Sequence, residues 1–367
     1  MKKFSYLFAC VAIAVAGVLV SCSKSDDSVS APKITSNVVL EDFDAYVLEA
    51  SSNVSATFTV GNESKTGTEV EFITPDKSIT VPVKADGYLD QTAEVNFSDV
   101  MRVTWIYVEM FKPSTNLVAQ EDAKGKTIGN DEANEKATGA KVELEVPADL
   151  NISGNTTDPF SVTAFKPAPK TIPLESLKVN QKLKASILGL LCKPDGATFD
   201  KPLTLSVTMD DLKDLDIEVP DASDVKLNGN TLSFQVSHFS IYDILMNGTI
   251  ESLTKGEKEV YNNTVLINKG ENKVDVSINV GYESDSKIEE VQQFLTYLFG
   301  TPLRELSKKV VFTADGFGSA NIVIRQAYYD VTFSYGNIKA SARIWAEPAC
   351  TVTTSANTSI HSGGSIR

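Results

Sequence analysis

A two-residue rhythm of apolar side chains constrains this chain more than any other feature. Val81, Val83 and Ala85 alternate with polar neighbours, as do Val103, Trp105 and Tyr107, and Val142, Leu144 and Val146. Further on, Val274, Val276, Ile278 and Val280 do the same, followed by Ile322 and Ile324. Successive side chains of a strand point to opposite faces, so this alternation describes sheets with one buried face. Gly, Asn, Asp and Pro separate the runs, which is the punctuation of antiparallel sandwiches. One segment has a helical period. Over Lys287–Phe299, Ile288, Val291, Leu295 and Leu298 fall on one face, Ser286 and Glu289 are placed as a capping box, and Gly300 and Pro302 stop the helix. It is expected to cover one face of a C-terminal sheet. The fold class is therefore mainly β, with tandem β-sandwich domains followed by a smaller α+β C-terminal domain with one helix.

The N-terminus carries an address. Met1-Lys2-Lys3 precedes an uncharged apolar run from Phe4 to Val20, which ends at Leu19-Val20-Ser21-Cys22. A cationic start, an apolar stretch and small residues before a cut site make a secretion signal over residues 1–21. The run is also close to the length of a short membrane span, so an uncleaved anchor is the competing reading. The Leu-Val-Ser-Cys end resembles the lipobox of bacterial lipoproteins. That resemblance implies cleavage before Cys22 and a thioether from its sulfur to diacylglycerol, with acyl chains such as palmitate. Each buried CH₂ contributes about 0.8 kcal/mol, and two or three chains hold a protein stably where one does not. Residues 22–33 then read as a flexible tether without core formers. Asp26-Asp27 is similar to the surface-export signal of lipoproteins in gut-type Gram-negative anaerobes, and Asp27-Ser28-Val29 to their O-glycosylation site, at Ser28. The expected location is the outer membrane, lipid-anchored and facing the exterior.

Losing residues 1–21 removes Lys2 and Lys3 and no acid, leaving 32 cations against 48 acids, a net charge of −16. Such a surface repels phosphate backbones, so nucleic acid is not expected as a partner. Cys192 and Cys350 are too few for a disulfide framework; they are either free, the favoured reading, or one bridge. About 345 mature residues exceed one ordinary core. The chain divides into residues 34–100, a small β domain; 101–249, a larger one; 250–350, an α+β domain with the helix; and a flexible Ser/Thr/Gly-rich tail, 351–367.

Two of these regions resemble known modules. Ala56-Thr57-Phe58-Thr59-Val60-Gly61, Thr66-Gly67-Thr68 and Val81 to Tyr88 are similar to PEGA-like or carboxypeptidase-regulatory-like sandwiches, which implies an Ig-like β domain acting as spacer or presenter. The Pro-Glu-Gly-Ala tetrad itself is absent. In the second region, Lys141 to Ala148, Lys193-Pro194-Asp195-Gly196-Ala197-Thr198-Phe199-Asp200-Lys201-Pro202 and Val236 to Tyr242 resemble the ZU-five/UPA type of β-sandwich. In some members of that family a His-Phe-Ser triplet cuts its own backbone, which here would fall between Phe239 and Ser240. Ser240 Oγ would attack the Phe239 carbonyl, His238 would move the proton, and water would hydrolyse the ester. The step needs a distorted peptide. Leu232, Phe234 and Val236 set an even apolar phase, and Phe239 and Ile241 an odd one, so a bulge or strand break is expected at 238–239. The plainer reading is a triplet that closes a strand.

Other chemistry is sparse. His238 and His361 are the only histidines, which excludes a His-based multi-ligand metal site in one domain. No cofactor-binding, metalloprotease, nucleophile-elbow or Walker motif occurs. Asp210, Asp211, Asp214, Asp216, Asp221 and Asp224 lack EF-hand spacing and read as a solvated loop face. Trp105 and Trp345 lie in alternating context and read as core rather than sugar platforms. Thr313 to Gly318 reads as a hairpin turn. The expectation is a non-enzymatic surface lipoprotein, a binding or spacer protein with a protein or glycan ligand. The alternatives are self-processing at Phe239–Ser240 and an accessory role in glycan capture or uptake.

Overall fold

The computed structural model describes residues 30–41, 43 and 45–355. It is mainly β, with four sheets and three short α-helices among the described residues. No described helix is long and apolar enough to cross a membrane.

The first sheet is built on Tyr46–Val60, which pairs antiparallel with Glu63–Thr74 and, near its end, with Ser78–Lys84. Gln91–Asn96 continues the sheet, and Val103–Val108 joins Tyr46–Val60 in parallel. Val103–Val108 lies beyond position 100, so this sheet takes a strand from the next stretch of sequence. Its alternation buries Leu48, Phe58, Phe72, Val81, Val83, Val95 and Ile106 in a core of its own.

The remaining three sheets share a second core. A six-stranded sheet runs in the order Ser223–Asn228, Thr231–His238, Thr198–Thr208, Lys141–Glu145, Thr127–Gly129, with Ile152–Ser153 at the side. Opposite it lies a seven-stranded sheet, in the order Ser161–Phe165, Lys182–Lys193, Ile241–Ile267, Gly318–Tyr335, Ile338–Ser355, Tyr282–Ser284, with Ile217–Glu218 off the path. A three-stranded sheet of Val39–Leu40, Arg304–Ala314 and Gly270–Val280 completes the packing.

One strand organises this arrangement. Ile241–Ile267 is 27 residues long. Its first part pairs with Lys182–Lys193, and from Thr249 onward it pairs with Gly318–Tyr335. The strand therefore runs without interruption through position 249/250, and the sheets on either side of that position are one sheet. Beyond residue 250 no described strand pairs on its other side. The exposed stretch carries Lys255, Glu257, Lys258 and Glu259, and its register shifts at 250/252 and 259/261. Charges and bulges are the usual means of keeping an open edge from recruiting another chain.

Several local expectations are corrected. The helix spans Glu289–Phe299 and starts two residues late, because Ser286 Oγ accepts the Ile288 N–H at 3.2 Å and holds 286–288 as a turn. No capping box forms, since Glu289 pairs with Lys166 instead. The helix covers the seven-stranded sheet, with Phe294 edge-on to Tyr335 at 4.9 Å and to Phe333 at 5.8 Å. Two short helices, Gln120–Ala123 and Glu132–Thr138, were not foreseen; Asp131 caps the second by accepting the Asn134 N–H. Thr351 to Ser355, read as tail, continue the last strand opposite Val323 to Ser319. At the other end, Lys33 and Ile34 are docked on the turn and strand at Asp315 and Ala314.

Candidate functional site

The His238-Phe239-Ser240 triplet sits where the chain leaves one sheet of the sandwich for the other. Thr231–His238 belongs to the six-stranded sheet and Ile241–Ile267 to the seven-stranded one. The strand break thus falls at 239–240, and its cause is the corner. The apolar phase is not odd beyond it, however. Ile241 is 53% exposed, and the buried phase resumes on Tyr242, Ile244 and Met246.

Phe239 anchors the corner. Its ring is edge-on to Phe199 at 4.8 Å and to Phe160 at 5.0 Å. Its N–H donates to Ala197 O at 2.8 Å, and its carbonyl accepts the Gly196 N–H at 3.4 Å. Ser240 Oγ donates to Ile241 O at 3.3 Å, and Ser240 O accepts the Cys192 N–H at 3.0 Å. The Tyr242 hydroxyl donates to His238 O, and burial pushes that phenol up to about 12. The triplet is brought together with Tyr242 and the Gly196 loop. No hydrogen bond joins His238 to Ser240 among the described residues, and neither Phe239 nor Ser240 has a positive φ.

A second constellation lies on the outward face of the seven-stranded sheet, and sequence reasoning missed it. A shallow cavity of about 570 Å³ is lined by hydroxyls of Ser252, Thr254, Ser284, Thr332 and Ser341, and by the charged groups of Glu283, Asp285, Asp330 and Arg343. Its walls are cross-strand neighbours, since Asp330 pairs with Arg343 and Thr254, and Glu283 pairs with Arg343. Arg343 binds Asp330 through two hydrogen bonds, at 2.8 and 3.0 Å, and this contact raises the guanidinium pKa further. The same guanidinium lies 3.8 Å from the centre of the Tyr328 ring. Tyr328 reaches across Gly256, where an added Cβ would stand 2.3 Å from the ring. Trp345 closes the row, edge-on to Tyr328 at 5.8 Å, and its Nε1–H donates to Glu283 at 2.9 Å. The arrangement offers donors, acceptors and a stacked cation on a fixed frame, the equipment for hydrogen-bonding a polar ligand. Alternation could have shown that Tyr328, Asp330, Arg343 and Trp345 share a phase. The register that makes them neighbours is absent from sequence.

The other candidates separate. Cys22, proposed for lipidation, Ser28, proposed for glycosylation, and His361 lie outside the described residues. Cys192 is free and fully buried, so no bridge joins it to Cys350, and burial pushes its thiol up to about 12. Among the described residues no three His, Cys, Asp or Glu side chains group to hold a metal ion. The aspartates from 210 to 224 are spread over loops and an exposed edge strand, and Asp224 pairs with Lys226. Trp105 and Trp345 are both buried.

No protein-family profile matches the chain, and no curated protein matches it either. A solved structure from Bacteroides fragilis, of a protein of unknown function whose name calls it membrane-associated, shares 10% identity over 84% of this chain and 98% of its own. The TM-score is 0.24, too low to carry an argument.

Proposed function

We propose that this chain is a lipid-anchored, non-enzymatic binding protein of the outer surface of a Gram-negative cell, and that it takes a hydroxyl-rich ligand of the glycan class in the trough around Arg343 and Asp330. The observation that supports it best is that trough. Five hydroxyls, three carboxylates and a guanidinium fixed over an aromatic ring stand on one rigid sheet face. Such groups exchange hydrogen bonds with sugar hydroxyls, and a rigid frame reduces the ordering that binding requires. Surface placement draws on the leader ending at Cys22 and on the acidic residues behind it.

A glycan array probed with the mature protein tests the ligand class. Binding that disappears in Arg343→Ala, with the melting curve kept, supports the reading; no signal on any polysaccharide counts against it. Protease shaving of intact cells should release the protein, and resistance would put it on the inner side.

The corner supports a second reading, self-cleavage between Phe239 and Ser240, through the Gly196 N–H that already reaches the Phe239 carbonyl. On a denaturing gel it predicts two fragments in wild type and one band in Ser240→Ala. A single band in both ends it.

A further inference from the structure

We infer that the end of the molecule carrying Phe317 and Leu266 faces the bilayer, with both side chains entering its interfacial layer. This rests on the lipid-anchor reading and adds to it the orientation of the folded part.

Among the described residues, Leu266 and Phe317 are the most exposed of the large apolar side chains, at 79% and 71%. Single exposed hydrophobics are ordinary on a soluble surface. These two are neighbours, because Leu266 pairs with Ser319 and Ile267 with Gly318, the residue after Phe317. They also coincide with the exit of the N-terminal chain. Lys33 N–H donates to Asp315 Oδ1 at 2.7 Å, and Asp315 N–H donates back to Lys33 O at 3.0 Å. Pro32 lies flat on Gly318, where a Cβ would meet its ring carbons at 2.6 Å. The 315–318 turn therefore clamps residues 32–33.

Reach limits the orientation, and the exposed apolar pair at the clamped end selects it. Ten Cα-to-Cα steps lead from Cys22 to Pro32, and at most about 3.6 Å each gives a span of about 36 Å. The strand Gly318–Tyr335 has 18 residues, and at about 3.3 Å each it is about 60 Å long. A lipid on Cys22 can bring the 315–318 end to the bilayer, and the far end of that strand stays out of reach. Exposed Lys33 and Lys269 flank the apolar pair and Glu271 and Asp315 offset them, so the contact suits a zwitterionic headgroup layer rather than a strongly anionic one. Asp330 lies eleven residues along the strand from Ser319, which sets the trough about 36 Å outward from that end.

The test uses the full lipidated protein in phosphatidylcholine vesicles. Phe317→Cys and Thr254→Cys are labelled singly with a polarity-sensitive fluorophore, and nitroxide-bearing lipid is added. Side chains about 5–10 Å into the headgroup boundary should shift to the blue and lose emission at least about two-fold. That is expected for the label at 317 and not at 254, with no loss of effect in high salt. Mass spectrometry of the same preparation reports the acyl chains on Cys22 separately. Lipidated protein whose 317 label is unquenched overturns the orientation while leaving the anchor standing. A blue shift without nitroxide quenching marks a second copy as the occupant and overturns it as well. An unmodified Cys22 sinks the anchor reading itself, and the orientation with it.

Discussion

The first sheet and the two fused sandwiches bury their apolar faces in different ways. The sheet built on Tyr46–Val60 has a core of its own on one face, while Val47, Val103 and Trp105 on the other pack into the second core beside a set of polar contacts. Gln91 is the clearest of them: its Nε2 donates to Glu109 O at 2.9 Å and to Lys166 O at 3.0 Å, and its Oε1 accepts the Ala168 N–H at 3.0 Å. Asn96 and Thr171 exchange three more hydrogen bonds. The other sheets share one core and one 27-residue strand. Opening that boundary exposes Val47, Val103 and Trp105 but leaves the first sheet's own cluster intact. A boundary inside a strand cannot open in this way, because opening it exposes backbone and core together. The comparison predicts that the three sheets sharing one core melt as a unit and that the first sheet can melt apart from them.

The strongest way to break this comparison is Phe239→Ala at the sheet-to-sheet corner. Loss of the Phe160–Phe199–Phe239 cluster should cost about 3–5 kcal/mol. In calorimetry the large transition should move down as one peak, with the transition of the first sheet little changed. A split of the large peak would show that the shared strand does not couple the two sandwiches. Next in size is Gln91→Ala, which leaves buried backbone groups without partners and should cost about 1–3 kcal/mol. Its effect should fall on the boundary, so the first sheet melts earlier and limited proteolysis cuts between the units.

A smaller change, of opposite sign, is expected at Tyr335. Its buried hydroxyl has no hydrogen-bond partner, and burial holds its pKa well above the usual phenol value. Tyr335→Phe keeps the ring stack and removes that desolvated group, which should raise stability by about 1 kcal/mol. A drop in the chemical denaturation midpoint would refute it. The finest probe is pH. Glu290 lies buried on the helix, and burial, with Asp211, Glu289 and Asp210 nearby, raises its pKa. The folded protein then holds this proton more tightly than the unfolded chain does, so stability falls as pH rises from the ordinary carboxylate value through the raised one. Glu290→Gln should flatten that slope, and the variant should gain on wild type at neutral pH. Parallel stability profiles from pH 4 to 7 would count against the assignment.

Alternation made the sheets legible because a strand's buried side is written locally, as at Leu232, Phe234 and Val236. A break was legible one position early, at 238–239, because Phe239 leaves the even phase of Leu232, Phe234 and Val236. Beyond the corner the reading failed at Ile241, because one apolar residue on an exposed edge looks like any other. The helix existed in the sequence, but its start did not, since Lys166 lies 123 residues from Glu289 and competes for its carboxylate.

The sequence by itself determined the strand class and the faces that are buried, because each is set by neighbours a few residues apart. Only the tertiary structure decided that one strand joins two sandwiches, that Asp330, Arg343, Glu283 and Tyr328 meet on one face, and that residues 32–33 are clamped beside Phe317. Those are matters of register and crossing between distant segments. Backbone hydrogen bonds can be made in many pairings, and the packing of the whole core selects one.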